Sequence, residues 1–241
     1  MRIAVSSSTF RRPLEAGELT QLEWVERCAS ELGVDGVVCA FSDFPRFDDE
    51  YVAQLRKVAI DLAIVPFGID APGLLEPAAE PAAIDRAVAV ARGFGAAVIR
   101  TTPPAPGDVP PATFAETVRI AKVLSRAAKA ANVTVVVVTA PGTIAEDLGA
   151  LRRLVKDADS AWLRACPDAT LESAQAGTKE RFPALLATPA DDPATVAARA
   201  QRAWLILDAA ASTSPWDLAG GAIAALRRAE ADLLLRRGGG G

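Results

Sequence analysis

With 241 residues, 51% of them hydrophobic and 23% charged, the chain can bury one large core or two small ones and is too apolar to remain disordered. A net charge of -4 argues against a nucleic-acid partner, because gripping phosphates needs Lys and Arg gathered on one face. The chain contains no histidine, which excludes Ser-His and Cys-His nucleophile pairs, an imidazole base near neutral pH and a His-ligated zinc.

From Met1 the sequence runs straight into IAVSSS at Ile3, a strand pattern with no apolar leader before it, and no window nears ~18 unbroken apolar residues. The expectation is a cytoplasmic protein with no membrane partner. Thr20 with Glu23 then fits the reciprocal cap that opens a helix; Leu22, Val25, Ala29 and Leu32 share one face of it, and Gly33 is a left-handed stop. GVVCAF from Gly36, LAIVPFGI from Leu62 and AAVIRTT from Ala96 follow as strands. Thr113 with Glu116 reads as a second cap. In the helix behind it Phe114, Val118, Ala121, Leu124 and Ala128 face the core, while Glu116, Arg119, Lys122, Arg126 and Lys129 face water. VTVVVVT from Val133 is apolar enough to require burial on both faces, and Thr143 with Glu146 reads as a third cap. AWLRAC from Ala161, PALLAT from Pro183 and AWLILD from Ala203 bring the strands to about eight.

Strands that alternate with one-sided helices, without a linker or a change of composition, predict a parallel sheet, and eight such units fit a single-domain α/β chain. The fold class expected is a (β/α)8 TIM barrel over residues 1–237, with 238–241 as a flexible glycine tail. An open dinucleotide-binding sheet is not supported. The first turn, SSSTFRR, lacks glycine, and GFGAA precedes a strand instead of following one. Cys28, Cys39 and Cys166, odd in number and widely spaced, read as reduced, packed thiols.

In such a barrel the functional groups stand at or just after the C-terminal ends of the strands. Those positions read Ser6 to Thr9, Phe41 to Asp43, Asp70, Arg100 to Thr102, Thr139, Asp168 with Glu172, Thr188 with Asp191, and Asp208 with Ser212 and Trp216. The rim is rich in hydroxyls and sparse in ionisable groups. From it the expected substrate contacts are Ser6, Ser8, Phe41, Asp70, Arg100, Thr102, Thr139, Glu172, Thr188 and Trp216, with Trp216 stacking on a ligand from a rim loop. Plainer roles stand beside these. Asp168 fits an N-cap for ATLESAQ, Asp208 fits a turn cap, Arg100 suits either an anion or a structural ion pair, and Trp24 and Trp162 suit packing.

The phrases IAVSSSTF, ELGVDGVV, DDEYVAQLRKVAIDLAIVPFGID, GAAVIRTT, AKAANVTVVVV, LRACPDA and AWLILDAA together resemble the xylose isomerase-like TIM barrels, the superfamily of sugar-phosphate isomerases and epimerases and of endonuclease-IV-type enzymes. The resemblance implies a divalent Mn or Mg at the open end of the barrel. Its ligands would be a Glu ending the fifth strand, an Asp ending the sixth, a His ending the seventh and a Glu ending the eighth, with the two glutamates as acid and base. By position these fall at Val138, Asp168, the span Leu186 to Thr188, and Asp208. Asp168 and Asp208 are thus the catalytic and metal-ligating candidates. Two carboxylates would hold Mg or Mn weakly, through water and substrate oxygens, or not at all, so no tightly bound cofactor is expected. The resemblance implies a small carbohydrate ligand: a sugar, a polyol or a sugar phosphate. Three roles stay open: a barrel that has lost its catalytic centre and binds such a ligand or serves as a non-catalytic subunit; an isomerase or epimerase with a reduced Mg site on Asp168 and Asp208; and an assembly protein, as a homodimer or in a hetero-complex.

Overall fold

The computed structural model describes residues 1–108, 110–170, 182–209 and 212–238. Its centre is an eight-stranded parallel sheet in the order β6-β5-β4-β3-β2-β1-β8-β7. The strands are β1 (Arg2–Ser6), β2 (Gly36–Ala40), β3 (Val65–Asp70), β4 (Val98–Thr101), β5 (Thr134–Val138), β6 (Leu163–Cys166), β7 (Ala184–Ala187) and β8 (Trp204–Leu207). The ends of this order meet beyond β6. Pro167 has no N–H to extend the ladder, so closure rests on a bridge between Asp168 and Leu186, in which Leu186 N–H donates to Pro167 O at 3.0 Å and Ala169 N–H to Leu186 O at 2.7 Å. The protein is a (β/α)8 TIM barrel, with every strand predicted from the sequence present within a few residues of its expected place.

Helices α1 (Arg11–Glu15), α2 (Gln21–Arg27), α3 (Asp49–Asp61), α4 (Pro81–Phe94), α5 (Pro110–Ala130), α6 (Leu148–Ala158), α7 (Pro193–Arg199) and α8 (Pro215–Gly238) surround it. The Thr20–Glu23 capping box forms at the start of α2 as expected, and Gly33 ends the following π-helical turn at φ 59°. The other two expected boxes do not form. Pro110 and Pro111 start α5 three residues before Thr113, which leaves Glu116 inside the helix, where it pairs with Arg119. Thr143 serves a local turn by donating to Ala140 O, and Asp147 caps α6 by accepting from Ala150 N–H.

Two apolar layers follow from the alternation of the strands. Ile3, Val5, Val37, Ile69, Ile99, Val135, Val137 and Leu205 point outward against the helices. Ala4, Val38, Phe67, Val98, Val136, Val138, Cys166, Ala184, Trp204 and Ile206 fill the barrel interior. At the floor Trp204 stacks on Phe67 at 4.4 Å between ring centroids, with the Arg2 guanidinium 4.7 Å from its ring. All three cysteines are free and buried.

Candidate functional site

Continuing the interior rows upward by the period of two sets what reaches the mouth. The rows end in Ser6, Ala40, Asp70, Arg100, Val138, Asp168, Thr188 and Asp208. Asp70 owes its place to a register shift between β2 and β3, which sets Phe67 and then Gly68 against the interior; a Cβ on Gly68 would approach the Val98 side chain at 2.8 Å.

Arg100 is the hub. Its Nε donates to Asp70 Oδ1 at 2.9 Å and its Nη2 to Asp70 Oδ2 at 2.6 Å, while Nη2 also lies 2.5 Å from Asp208 Oδ2. Its side chain is only 6% exposed. Burial works against the charged guanidinium, yet Asp70 and Asp208 more than offset this and hold its pKa above the ordinary arginine range. The ion-pair reading of Arg100 is the one the structure bears out. Asp208 is tied on its other side by Ser8, whose Oγ donates to Oδ1 at 2.8 Å, and Ser8 Oγ lies 2.5 Å from Ser6 Oγ. Ser6, Ser8, Asp208, Arg100 and Asp70 therefore form one continuous polar chain across the mouth.

The remaining candidates do not join it by any direct contact among the described residues. Asp168 Oδ1 accepts from the N–H and the Oγ1 of Thr170, so it caps its own turn, and its N–H donates to Thr139 Oγ1 at 3.1 Å. Beneath them Cys166 is pushed up to about 12, first by burial, against the pull of Arg100 and with added repulsion from Asp168 and Asp70. Thr188 is exposed and donates its N–H to Asp191, and Thr102 is half-buried. Thr101 is buried on the alternate face from Arg100, so it does not reach the mouth. Glu172 lies outside the described residues. The stacking role expected of Trp216 is not available: the ring sits in the first turn of α8, packed on Phe10 at 4.4 Å, with the Arg27 guanidinium 3.9 Å from its centroid.

Phe41 does belong to an exposed aromatic feature, though with a partner the sequence reading passed over. It stacks on Phe47 at 4.6 Å and 21°, with Phe44 behind and the Arg86 guanidinium 5.7 Å from the Phe47 ring. The signal was the spacing of three in FSDFPRF. Another missed pairing is Ser7 Oγ donating to Asp43 Oδ2 at 2.5 Å while accepting Ala40 N–H. Burial raises the Asp43 carboxyl, and hydrogen bonds from Ser7 and Ser42 only partly offset it. The folded chain therefore keeps the Asp43 proton at a pH where the unfolded chain has lost it. The associated stability is full below the unfolded value, near 3.9, and is lost as pH rises through the folded one. Asp43→Asn keeps an acceptor for Ser7 and is expected to remove this loss. Urea denaturation from about pH 4 to 7 should show the variant gaining on the wild type as pH rises.

The divalent metal that the family resemblance implies would need several unengaged donors converging at the mouth. Val138 offers no lone pair, Asp208 is engaged at both oxygens by Arg100 and Ser8, Asp168 is turned to Thr170, and among the described residues no three His, Cys, Asp or Glu side chains converge as a metal site. This donor set does not fit a four-ligand Mn or Mg centre.

A closed parallel barrel with its polar side chains gathered at the strand C-termini defines the class of protein. Within it the chain has the fold of the xylose isomerase-like TIM barrels. D-allulose 3-epimerase from Methylomonas sp. superposes with a TM-score of 0.73 at 12% identity, over 95% of this chain and 98% of that one. 3-Keto-D-glucoside 4-epimerase from E. coli gives 0.72 at 10% identity, over 95% and 99%. A fusion of a xylose isomerase-like TIM barrel with a 4-hydroxyphenylpyruvate dioxygenase gives 0.69 at 15% identity, over 99% of this chain but 44% of that one. No family model and no curated protein matches the sequence. At these identities the likeness establishes the fold alone.

Proposed function

We propose that this barrel binds a small neutral sugar or polyol at its mouth without a resident divalent metal, as a binding protein or a non-catalytic subunit. The observation that carries the reading is Arg100 clamped between Asp70 and Asp208: a fixed guanidinium neutralises carboxylates that would otherwise be free to hold a cation. With two carboxylates to one guanidinium this cluster is net negative, which disfavours a phosphate and suits a ligand that donates hydroxyl hydrogens. Ser8 and Thr102 add partly exposed hydroxyls that donate or accept, Thr139 adds a further one beside Asp168, and the Phe41–Phe47 stack offers an apolar face for sugar C–H groups. The sugar epimerases among the fold neighbours lend this ligand class support.

Thermal unfolding in EDTA with a panel of ketoses, aldoses and polyols tests the proposal. A ligand at 100 times its Kd should add about 2.7 kcal/mol, while Mn²⁺ or Mg²⁺ alone should add nothing. Stabilisation by either ion that disappears in Asp168→Ala would overturn this reading in favour of a reduced-site isomerase. A chain that responds to no ligand and is recovered in a stable hetero-complex would point to assembly instead.

A further inference from the structure

At the end of the barrel opposite the mouth, a cavity of about 410 Å³ opens between the C-terminal half of α5 and the turn from α6 into β6. Its α5 wall carries Lys122, Arg126 and Lys129, which the spacing of four and three sets on one stripe; its other wall is Asp159, Ser160 and Trp162. Like charges one turn apart cost a helix a few tenths of a kcal/mol each, so this stripe is not what helix stability alone would select. Several other surface cations are paired with a carboxylate on their own helix: Arg27 with Glu31, Lys57 with Asp61, Arg153 with Asp157, and on α5 itself Arg119 with Glu116. Among the described residues Lys122, Arg126 and Lys129 form no salt bridge. Lys129 can serve the helix C-terminus, but Lys122 lies two turns inside it, beyond the reach of the terminal dipole.

Across the cavity from these cations stands Trp162. The Trp162 backbone is fixed at both ends of the residue, its O accepting Val135 N–H at 2.8 Å and its N–H donating to Ser160 Oγ at 3.2 Å, while the half-buried indole lines the cavity. Three cations against one carboxylate make the lining net positive on a protein of charge -4. The volume suits a small molecule and is too small for a folded partner.

We propose that this cavity binds a nucleoside diphosphate, its phosphates on Lys122, Arg126 and Lys129 and its base on the face of Trp162. Charge alone would take any oligophosphate; the indole is what selects one that carries a flat ring. The site is independent of the mouth, so its fate and that of the sugar-binding reading are separate.

Calorimetric titration with ADP, inorganic pyrophosphate and adenosine, in EDTA at low salt, tests it. ADP is expected to bind with a Kd on the order of 10–100 μM, pyrophosphate at least about tenfold more weakly, and adenosine without saturation. The triple variant Lys122→Ser, Arg126→Ser, Lys129→Ser, which alters only exposed side chains, should weaken ADP at least about tenfold. Trp162→Leu should bring ADP down to the affinity of pyrophosphate and leave pyrophosphate unchanged. No saturation by about 1 mM ADP, or an ADP affinity untouched by the triple variant, overturns the site. Pyrophosphate binding as tightly as ADP overturns the nucleotide assignment.

Discussion

Arg100→Met is expected to lower the free energy of unfolding by about 3–5 kcal/mol, because it strands Asp70 and Asp208 with no counter-charge at the top of an apolar barrel. Chemical denaturation measures this directly. Arg100→Lys should recover only part of the loss, since a single ammonium cannot reproduce the two-pronged contact with Asp70 while also reaching Asp208. The combined replacement Arg100→Met, Asp70→Leu, Asp208→Leu should be far less damaging than Arg100→Met alone, and of similar stability to the wild type. A buried charge cluster returns little net stability but is costly to break by halves. Should Arg100→Met unfold like the wild type, the cluster would be solvated and the proposed role of the guanidinium at the mouth would fail with it. The same variant bears on metals. Freed of Arg100, Asp70 and Asp208 become available to a cation, so Mn²⁺ should raise the melting temperature of Arg100→Met and leave that of the wild type unchanged.

Why the barrel was readable and this cluster was not comes down to the range of the interactions. Each strand declares itself within six or so residues, and runs such as VTVVVV and WLIL state that both of their faces are covered. Positions near the mouth follow from where each strand ends, which is why Ser6, Asp70, Arg100, Asp168 and Asp208 could be named. Which of them would touch could not. Arg100 could have met Asp168, two strands away, as readily as Asp208, until the shear of the barrel and the register shift in β3 fixed which side chains share a level. Helix starts failed for a different reason. A Thr-x-x-Glu pattern describes a cap only if nothing upstream starts the helix first; Pro110 does so before Thr113, and Asp147 supplies a better-placed acceptor than Thr143. Trp216 illustrates a third limit. Its place in the sequence follows a strand and so suggests the rim, but Phe10 and Arg27 come from other units and occupy its faces.

At the opposite pole, Trp204→Ala should be as damaging as the loss of Arg100, again about 3–5 kcal/mol, through a purely apolar mechanism. Trp204 is 7% exposed and closes the floor of the barrel, with Phe67 stacked on one side and Arg2 over its ring. Barrel walls are held by backbone ladders and cannot collapse into the space an indole leaves, so the cavity should persist and the full penalty should register. Gly36 provides the internal check. A Cβ there would lie 2.8 Å from the Val65 carbonyl oxygen and 3.0 Å from the Trp204 ring, so Gly36→Ala alone should cost about 1–3 kcal/mol by crowding both. In the Trp204→Ala background the ring half of that conflict is gone and the carbonyl half remains. The cost of Gly36→Ala should therefore shrink without vanishing, and a double-mutant cycle should return a coupling of about 0.5 kcal/mol or more. Strict additivity would mean that the ring moves aside freely, and the floor of the barrel would then be a loose plug instead of a packed layer.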